Sequence, residues 1–324
     1  MTDSVWVYPL GAVLGGQPAD VAELLTEHGP VRDGFLERTG FSTIYRSRDD
    51  QSSLSLALDA AVMSGSDWWK EQVDGIVSVT STSELIAPGN AHLIQAALGL
   101  DREIFTLDVN DACTGFVRAF MVAKTLINGG LATTVLLTLA DTYTKLFESS
   151  ELKVSPLFSD GASALLISSI QLPDPPKSVE ARRWEVLAHS FLSEGARAGE
   201  LQIRRESGRD LGHLGMNGGA VFNFVLRSIN ACTSRLMEQS GVDLAEVDRW
   251  YVHQGSRAVV SAVEKALGVS DDLFRSAEYG NVVGSSLPFQ LHADQHERSD
   301  YLLGFLAFGV GLTIGGMLVK QTSD

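Results

Sequence analysis

The sequence predicts an α/β protein with a mainly parallel sheet, built from two halves of similar element order. Three observations carry this. Apolar β-rich runs alternate with helical patterns, the signature of βαβ units. The chain has 324 residues, which suits two domains or fused halves better than one simple core. A proline-rich break, Leu172-Pro173-Asp174-Pro175-Pro176-Lys177, can continue neither a helix nor a central strand.

In the first half, residues 76–80, 104–109, 133–139 and 162–168 read as strands, and 90–98 and 115–127 as helices. After the break, 184–189 and 249–252 read as strands, 220–238 and 257–267 as helices, and 305–308 and 312–319 as closing strands. The boundary is placed at 172, giving halves 1–172 and 173–324. No repeat is visible at the level of residues.

Composition excludes several function classes. The net charge is -15, which repels a phosphate backbone and argues against nucleic-acid binding. Six arginines between 182 and 209 are read as a solvated loop. Two cysteines, Cys113 and Cys232, make no disulfide framework. The first residues lack the basic and apolar regions of a signal peptide. The most apolar run, 131–140, is too short to span a bilayer. A cytoplasmic protein without membrane attachment is expected.

Cys113 lies where a strand turns sharply into a helix. The positive end of that helix would favour thiolate, and its free N–H groups could hold an oxyanion. A small buried hydrophobe is an equal reading of the same context. Cys232, among Ile229, Ala231 and Leu236, reads as structural. His253 follows the strand 249–252, at the sheet end where α/β proteins place ligands. Asn281 sits in Glu278-Tyr279-Gly280-Asn281-Val282-Val283-Gly284, which by itself reads as a plain turn. The run Phe308-Gly309-Val310-Gly311-Leu312-Thr313-Ile314-Gly315-Gly316 is not a dinucleotide fingerprint, because strand rather than helix follows. A hairpin bringing backbone N–H groups near a substrate fits it.

Jointly, these pieces resemble the β-ketoacyl carrier-protein synthase III family of the thiolase superfamily. The matches are Cys113 in DACTG, His253 in HQGS, Asn281 in GNVVGSS and the ending AFGVGLTIGG. Further matches are Arg38-Thr39-Gly40, Thr80-Ser81-Thr82 with Pro88, Leu98 to Leu100, and Phe158-Ser159-Asp160-Gly161-Ala162. The resemblance spans nearly the whole chain.

It implies the thiolase fold, with duplicated βαβαβαββ halves in an αβαβα five-layer arrangement, and a homodimer. It implies that Cys113 is acylated by an acyl thioester, that the N–H groups of Cys113 and the Val310 region form the oxyanion hole, and that His253 and Asn281 support decarboxylative condensation with a malonyl-type extender. No metal or other cofactor is implied.

Three departures narrow the expectation. Gly34 stands where coenzyme-A-using members place an adenine-stacking Trp, and the matching Arg falls near Leu152-Lys153. This points toward acyl carrier protein as the thioester's bearer, with coenzyme A thioesters as the other class. Ala87 replaces the bulky aromatic that reaches across the dimer to cap the acyl pocket, which points to a medium, long or bulky primer and a specialised pathway. Ser256 replaces an Asn, and Arg257 arrives one position early; Arg38 and Arg257 are the candidate carrier- or donor-binding residues.

Rival readings are an acyltransferase on the same fold that moves an acyl group to an O, N or S nucleophile with His253 as base, and a non-catalytic partner subunit of a condensing enzyme. The Cys, His, Asn order also occurs in papain-like proteases, whose flanking motif is missing.

Overall fold

A computed structural model describes residues 4–27, 34–147, 154–206, 209–294 and 300–322. The chain opens with β1 (Ser4–Leu14). A small pair, β2 (Gln17–Asp20) and β3 (Thr43–Arg46), brackets α1 (Val21–Glu27) and α2 (Phe35–Thr39). Then come α3 (Ser53–Val62), β4 (Gly75–Val79), α4 (Asn90–Leu98), β5 (Phe105–Val109), α5 (Gly115–Asn128), β6 (Thr134–Asp141) and β7 (Gly161–Ser168). The second part holds β8 (Arg182–Ser193), a hairpin of β9 (Leu201–Glu206) and β10 (Arg209–Met216), and α6 (Gly218–Ser240). It ends with β11 (Arg249–Val252), α7 (Arg257–Leu267), α8 (Ser286–Ala293), β12 (Tyr301–Gly309) and β13 (Thr313–Thr322).

Among the described residues, nine strands form one sheet in the order β11-β12-β13-β8-β1-β7-β6-β4-β5. The expectation of a mainly parallel sheet is corrected here. Only β4/β5, β4/β6 and β11/β12 are parallel; every other neighbouring pair is antiparallel. Parallel pairing occurs where a helix carries the chain across the sheet, whereas β12 returns as β13 through a tight turn. The internal repeat is in topology: β1-β7-β6-β4 and β8-β13-β12-β11 share the same sequence of antiparallel, antiparallel and parallel pairings. The two sets meet where residues 4–7 of β1 pair with 182–185 of β8.

β1 escapes the sequence reading because Pro9 and Gly11 interrupt it. In the structure the register shifts between those two residues, the kind of irregularity at which a sheet tolerates proline. Strands β4, β6 and β7 are buried along their whole length, so they read as continuous apolar runs rather than alternating ones. α5 packs on β4, β6 and β7 and also on β12 and β13, while α8 packs on β1, β7 and β11. These two helices therefore lie between the two sets of strands. α3 and α4 cover the outer face of the first set, and α6 packs on β8 and β13 of the second.

Helix ends follow local chemistry. Ser52 and Ser55 form a capping box on α3, Asn217 caps α6 and Ser256 caps α7. α6 and α7 both stop at glycines in left-handed conformation, Gly241 and Gly268. The arginines between 182 and 209 are not one solvated run. Arg182 is buried and donates to the carbonyls of Leu291 and Asp294; Arg197 pairs with Glu194; Arg204 and Arg205 lie on β9.

Candidate active site

Cys113 lies in a short 3₁₀ turn, Ala112–Thr114, that runs straight into α5. Ala112 has φ 41°, a left-handed conformation that costs a non-glycine residue about 1–3 kcal/mol. A matching turn leads into α8: residues 283–285, entered through Val283 at φ 52°. The two turns abut, since a β-carbon on Gly284 would lie 2.9 Å from the Ala112 carbonyl oxygen. The duplicated topology thus produces two equivalent elbows. One carries Cys113, and the other follows Asn281.

Asn281 is held on both sides. Its N–H donates to the Leu157 carbonyl at 3.0 Å and its carbonyl accepts from Ser159 N–H at 2.9 Å. Its side-chain Oδ1 accepts from Val283 N–H at 2.9 Å. That bond settles which end of the amide is which, leaving Nδ2 as the donor available to the cavity. Gly280 before it has φ 69°, and a β-carbon there would meet Ser159 Oγ at 2.7 Å, so glycine is required at this turn.

His253 follows β11. Its N–H donates to the Leu306 carbonyl at 2.8 Å, and its ring meets Phe308 edge-on with centroids 5.3 Å apart. The adjacent Gln254 is fully buried and fixes the strand end. Its Nε2 donates to the carbonyls of Val252 and Leu273, and its Oε1 accepts from Arg275 N–H. Burial pushes the His253 imidazole down to about 3, so it is neutral at physiological pH.

Cys113, His253 and Asn281 line one cavity of about 1280 Å³. Val310 lines it too, at the tip of the β12–β13 hairpin. The glycine-rich run is therefore the hairpin expected, and its Gly309 packs so closely on Cys113 that a β-carbon there would lie 3.3 Å from Sγ. The expectation that the helix end would favour thiolate is corrected. Burial pushes the Cys113 thiol well above its ordinary range, and the carboxyls of Asp141 and Asp111 push it further; desolvation outweighs the helix dipole.

Arg38 lines the cavity, as does Phe35. Arg257 opens α7, but its guanidinium stacks on Phe274 at 4.4 Å and pairs with Asp272 at 3.6 Å, and it is not part of the cavity wall. Gly34 caps α2 with φ 72°, so a Trp at this position would be strained. Leu152-Lys153 lies outside the described residues. Ala87 is exposed and outside its own chain's cavity.

Several wall residues were not anticipated. Leu201, Leu214 and Met216 come from the β9–β10 hairpin, Phe222 from α6, and Tyr143 and Phe147 from the segment after β6. Asp141, buried behind the cysteine, accepts from Ser81 N–H at 2.8 Å and from the Thr80 and Thr82 hydroxyls. Burial still drives its carboxyl up to about 7. The matched Thr80-Ser81-Thr82 segment was the only signal pointing toward this group.

Among the described residues no helix is long and apolar enough to cross a membrane, and no cluster of three or more His, Cys, Asp or Glu is placed to hold a metal ion.

Residues 107–177 match the family model for 3-oxoacyl-[acyl-carrier-protein] synthase III, and residues 237–321 match the model for its C-terminal part. The β-ketoacyl-[acyl-carrier-protein] synthase III of Staphylococcus aureus strain JH1 is 26% identical over 289 residues, covering 87% of this chain and 88% of the relative. The crystal structure of 3-oxoacyl-(acyl carrier protein) synthase III from Pseudomonas aeruginosa PAO1 superimposes with a TM-score of 0.85 at 26% identity, over 99% of each chain. The fold is also shared with Xanthomonas campestris OleA bound to lauric acid and lauroyl-CoA, with a TM-score of 0.80 at 16% identity, over 98% of this chain and 99% of that one. With two models of one enzyme family matched in order and its architecture reproduced over nearly the whole chain, this chain is similar throughout to the ketoacyl synthase III-like condensing enzymes of the thiolase superfamily.

Proposed function

We propose that this enzyme performs decarboxylative Claisen condensation between an acyl group held on Cys113 and a malonyl-type extender. In the first step Cys113 Sγ bonds to the thioester carbonyl carbon, and the donor thiol leaves with the proton that Cys113 carried. The oxyanion formed on the way is met by the N–H groups of Cys113 and Val310. In the second step the extender loses carbon dioxide, and the electron pair of the broken C–C bond passes into an enolate. His253 and Asn281 Nδ2 donate to the enolate oxygen. The enolate carbon then attacks the acyl-cysteine carbonyl, the C–S bond breaks, and the returning thiolate takes a proton from water. The product is a β-ketoacyl thioester.

The observation that most supports this reading is the Asn281 amide. Its oxygen is taken up by Val283 N–H, so the cavity receives a donor that does not titrate. The imidazole held near 3 fits a neutral donor better than a general base, whose affinity for protons should lie near the working pH. That weighs against transfer to an O, N or S acceptor.

The partner proposed is an acyl carrier protein. Gly34 offers no stacking ring and occupies a left-handed backbone conformation, so the adenine of coenzyme A lacks one face of its clamp. The primer proposed is medium, long or bulky, in a specialised cytoplasmic pathway. A homodimer is proposed through β5, the terminal strand of the sheet, whose Phe105, Leu107 and Val109 are only partly buried. The loop ahead of α4 exposes Leu85 and Ile86, and α4 is tied to β5 by Ala91 N–H on Asp108. Ala87 on that loop would then face the partner's cavity.

The test is product analysis. Acylated enzyme given malonyl carrier protein should release carbon dioxide and form a β-ketoacyl product. Simple acyl transfer without carbon dioxide would support the rival acyltransferase, and no reaction with any donor would support a non-catalytic subunit.

A further inference from the structure

We propose that Asp111 and Arg118 form a positioning latch that fixes the Cys113 turn against the hairpin tip carrying Gly309 and Val310. The proposal rests on the reading of Cys113 as the acyl acceptor. Asp111 stands two residues before Cys113, and its carboxylate is mostly buried. One oxygen accepts from Thr114 Oγ1 at 2.6 Å, across the turn. The other accepts from Arg118 Nη1 at 3.1 Å. Arg118 Nη2 donates to Ser193 Oγ at 3.0 Å, and its guanidinium lies 5.6 Å from the centre of the Phe191 ring. Ser193 Oγ and Thr313 Oγ1 are 3.3 Å apart.

This path runs from the first set of strands to the second. Thr313 is the first residue of β13 and the register partner of both Gly309 and Ser193. Gly309 in turn abuts the Cys113 side chain. The path therefore closes on itself: Cys113 turn, Asp111, Arg118, Ser193, Thr313, Gly309, and back to Cys113. A planar guanidinium with donors in a rigid fork can hold two acceptors at a set angle. What it sets here is the spacing of two backbone N–H groups contributed by different halves of the chain. Oxyanion stabilisation depends on that spacing, and a displacement of about 1 Å can cost roughly a hundredfold in rate.

A purely structural role would lower stability and every reaction of Cys113 alike. The latch predicts a split between reactions. Acylation by a thioester builds an oxyanion, whereas alkylation by iodoacetamide does not. Arg118→Met keeps the stem against Phe191 and removes the donors. Its single-turnover acylation should fall roughly 10–100-fold while alkylation changes less than about threefold. Thr313→Val, which breaks the far link alone, should give a smaller loss, and the double variant should be no slower than Arg118→Met, because both cut one path. Arg118→Lys, which can reach only one acceptor, should fall between and serves as the test if Arg118→Met does not fold. Acylation and alkylation falling together, additive losses in the double variant, or acylation unchanged in Arg118→Met would each overturn the latch. A wild-type enzyme that takes no acyl group from any thioester would overturn the reading of Cys113 beneath it.

Discussion

A β-carbon placed on Gly309 would lie 2.8 Å from Cys113 Cβ and 3.3 Å from its Sγ. The hairpin backbone thus reaches Cys113 only because residue 309 has no side chain. Gly309→Ala should force the two apart at a cost of about 1–3 kcal/mol and lower acylation of Cys113 by roughly 100-fold or more. Thermal melting and single-turnover acylation, measured together, check this. A variant acylated at the wild-type rate would show that the hairpin does not act on Cys113.

Asn281→Asp retains an oxygen for Val283 N–H but replaces the Nδ2 donor with a second acceptor. Loading of Cys113 should stay within about threefold of wild type, while decarboxylation of a malonyl thioester should fall by roughly 100-fold or more. Separate assays of loading and carbon dioxide release distinguish the two steps. Equal loss in both would mean that Asn281 shapes the cavity rather than the enolate.

Two buried groups oppose one another in their effect on acid stability. The His253 imidazole, displaced down to about 3, binds a proton more readily unfolded than folded. Its contribution is present above the ordinary histidine range and is lost as pH falls toward 3. The Asp141 carboxyl, displaced up to about 7, binds a proton more readily folded, so its contribution is present below the ordinary aspartate range and is lost as pH rises through 7. Asp141→Asn should therefore gain stability over wild type between pH 5 and pH 8, by on the order of 1.4 kcal/mol per pH unit crossed below 7. Urea unfolding at the two pH values measures it; a difference independent of pH would contradict the assignment.

Ala87→Phe should shift acyl selection toward short chains, and only in the dimer, because Ala87 lies outside its own chain's cavity. Competition between short and long acyl thioesters, with sedimentation to fix the oligomeric state, tests this. Unchanged selectivity in a confirmed dimer would refute the pocket account.

Much of the candidate site's placement was legible because chemistry and topology coincide in sequence. Cys113 and His253 both follow a strand that ends abruptly before a helix, and the bounds expected for β11 and α7 are those observed. Asn281 was legible only beside the other two, since Gly280-Asn281 reads like any turn until the Val283 elbow is seen. A helix end ahead of Cys113 is visible in sequence, whereas the burial beside Asp141 and Asp111 that pushes its thiol up is visible only in the structure. The β9–β10 hairpin was missed because Leu201–Glu206 carries two arginines and no clean alternation. Its Leu201, Leu214 and Met216 nevertheless form part of the cavity wall. Strand direction was misjudged because alternating strands and helices do not reveal that each half also contains antiparallel returns.

The central claim is that Cys113 accepts an acyl group, and intact-mass analysis tests it most directly. Enzyme incubated with acyl thioesters of several chain lengths, on carrier protein and on coenzyme A, should gain one acyl mass at Cys113. The gain should be fastest from a medium or long chain on carrier protein and absent in Cys113→Ala. No mass gain from any donor, or a gain that persists in Cys113→Ala, would contradict the account.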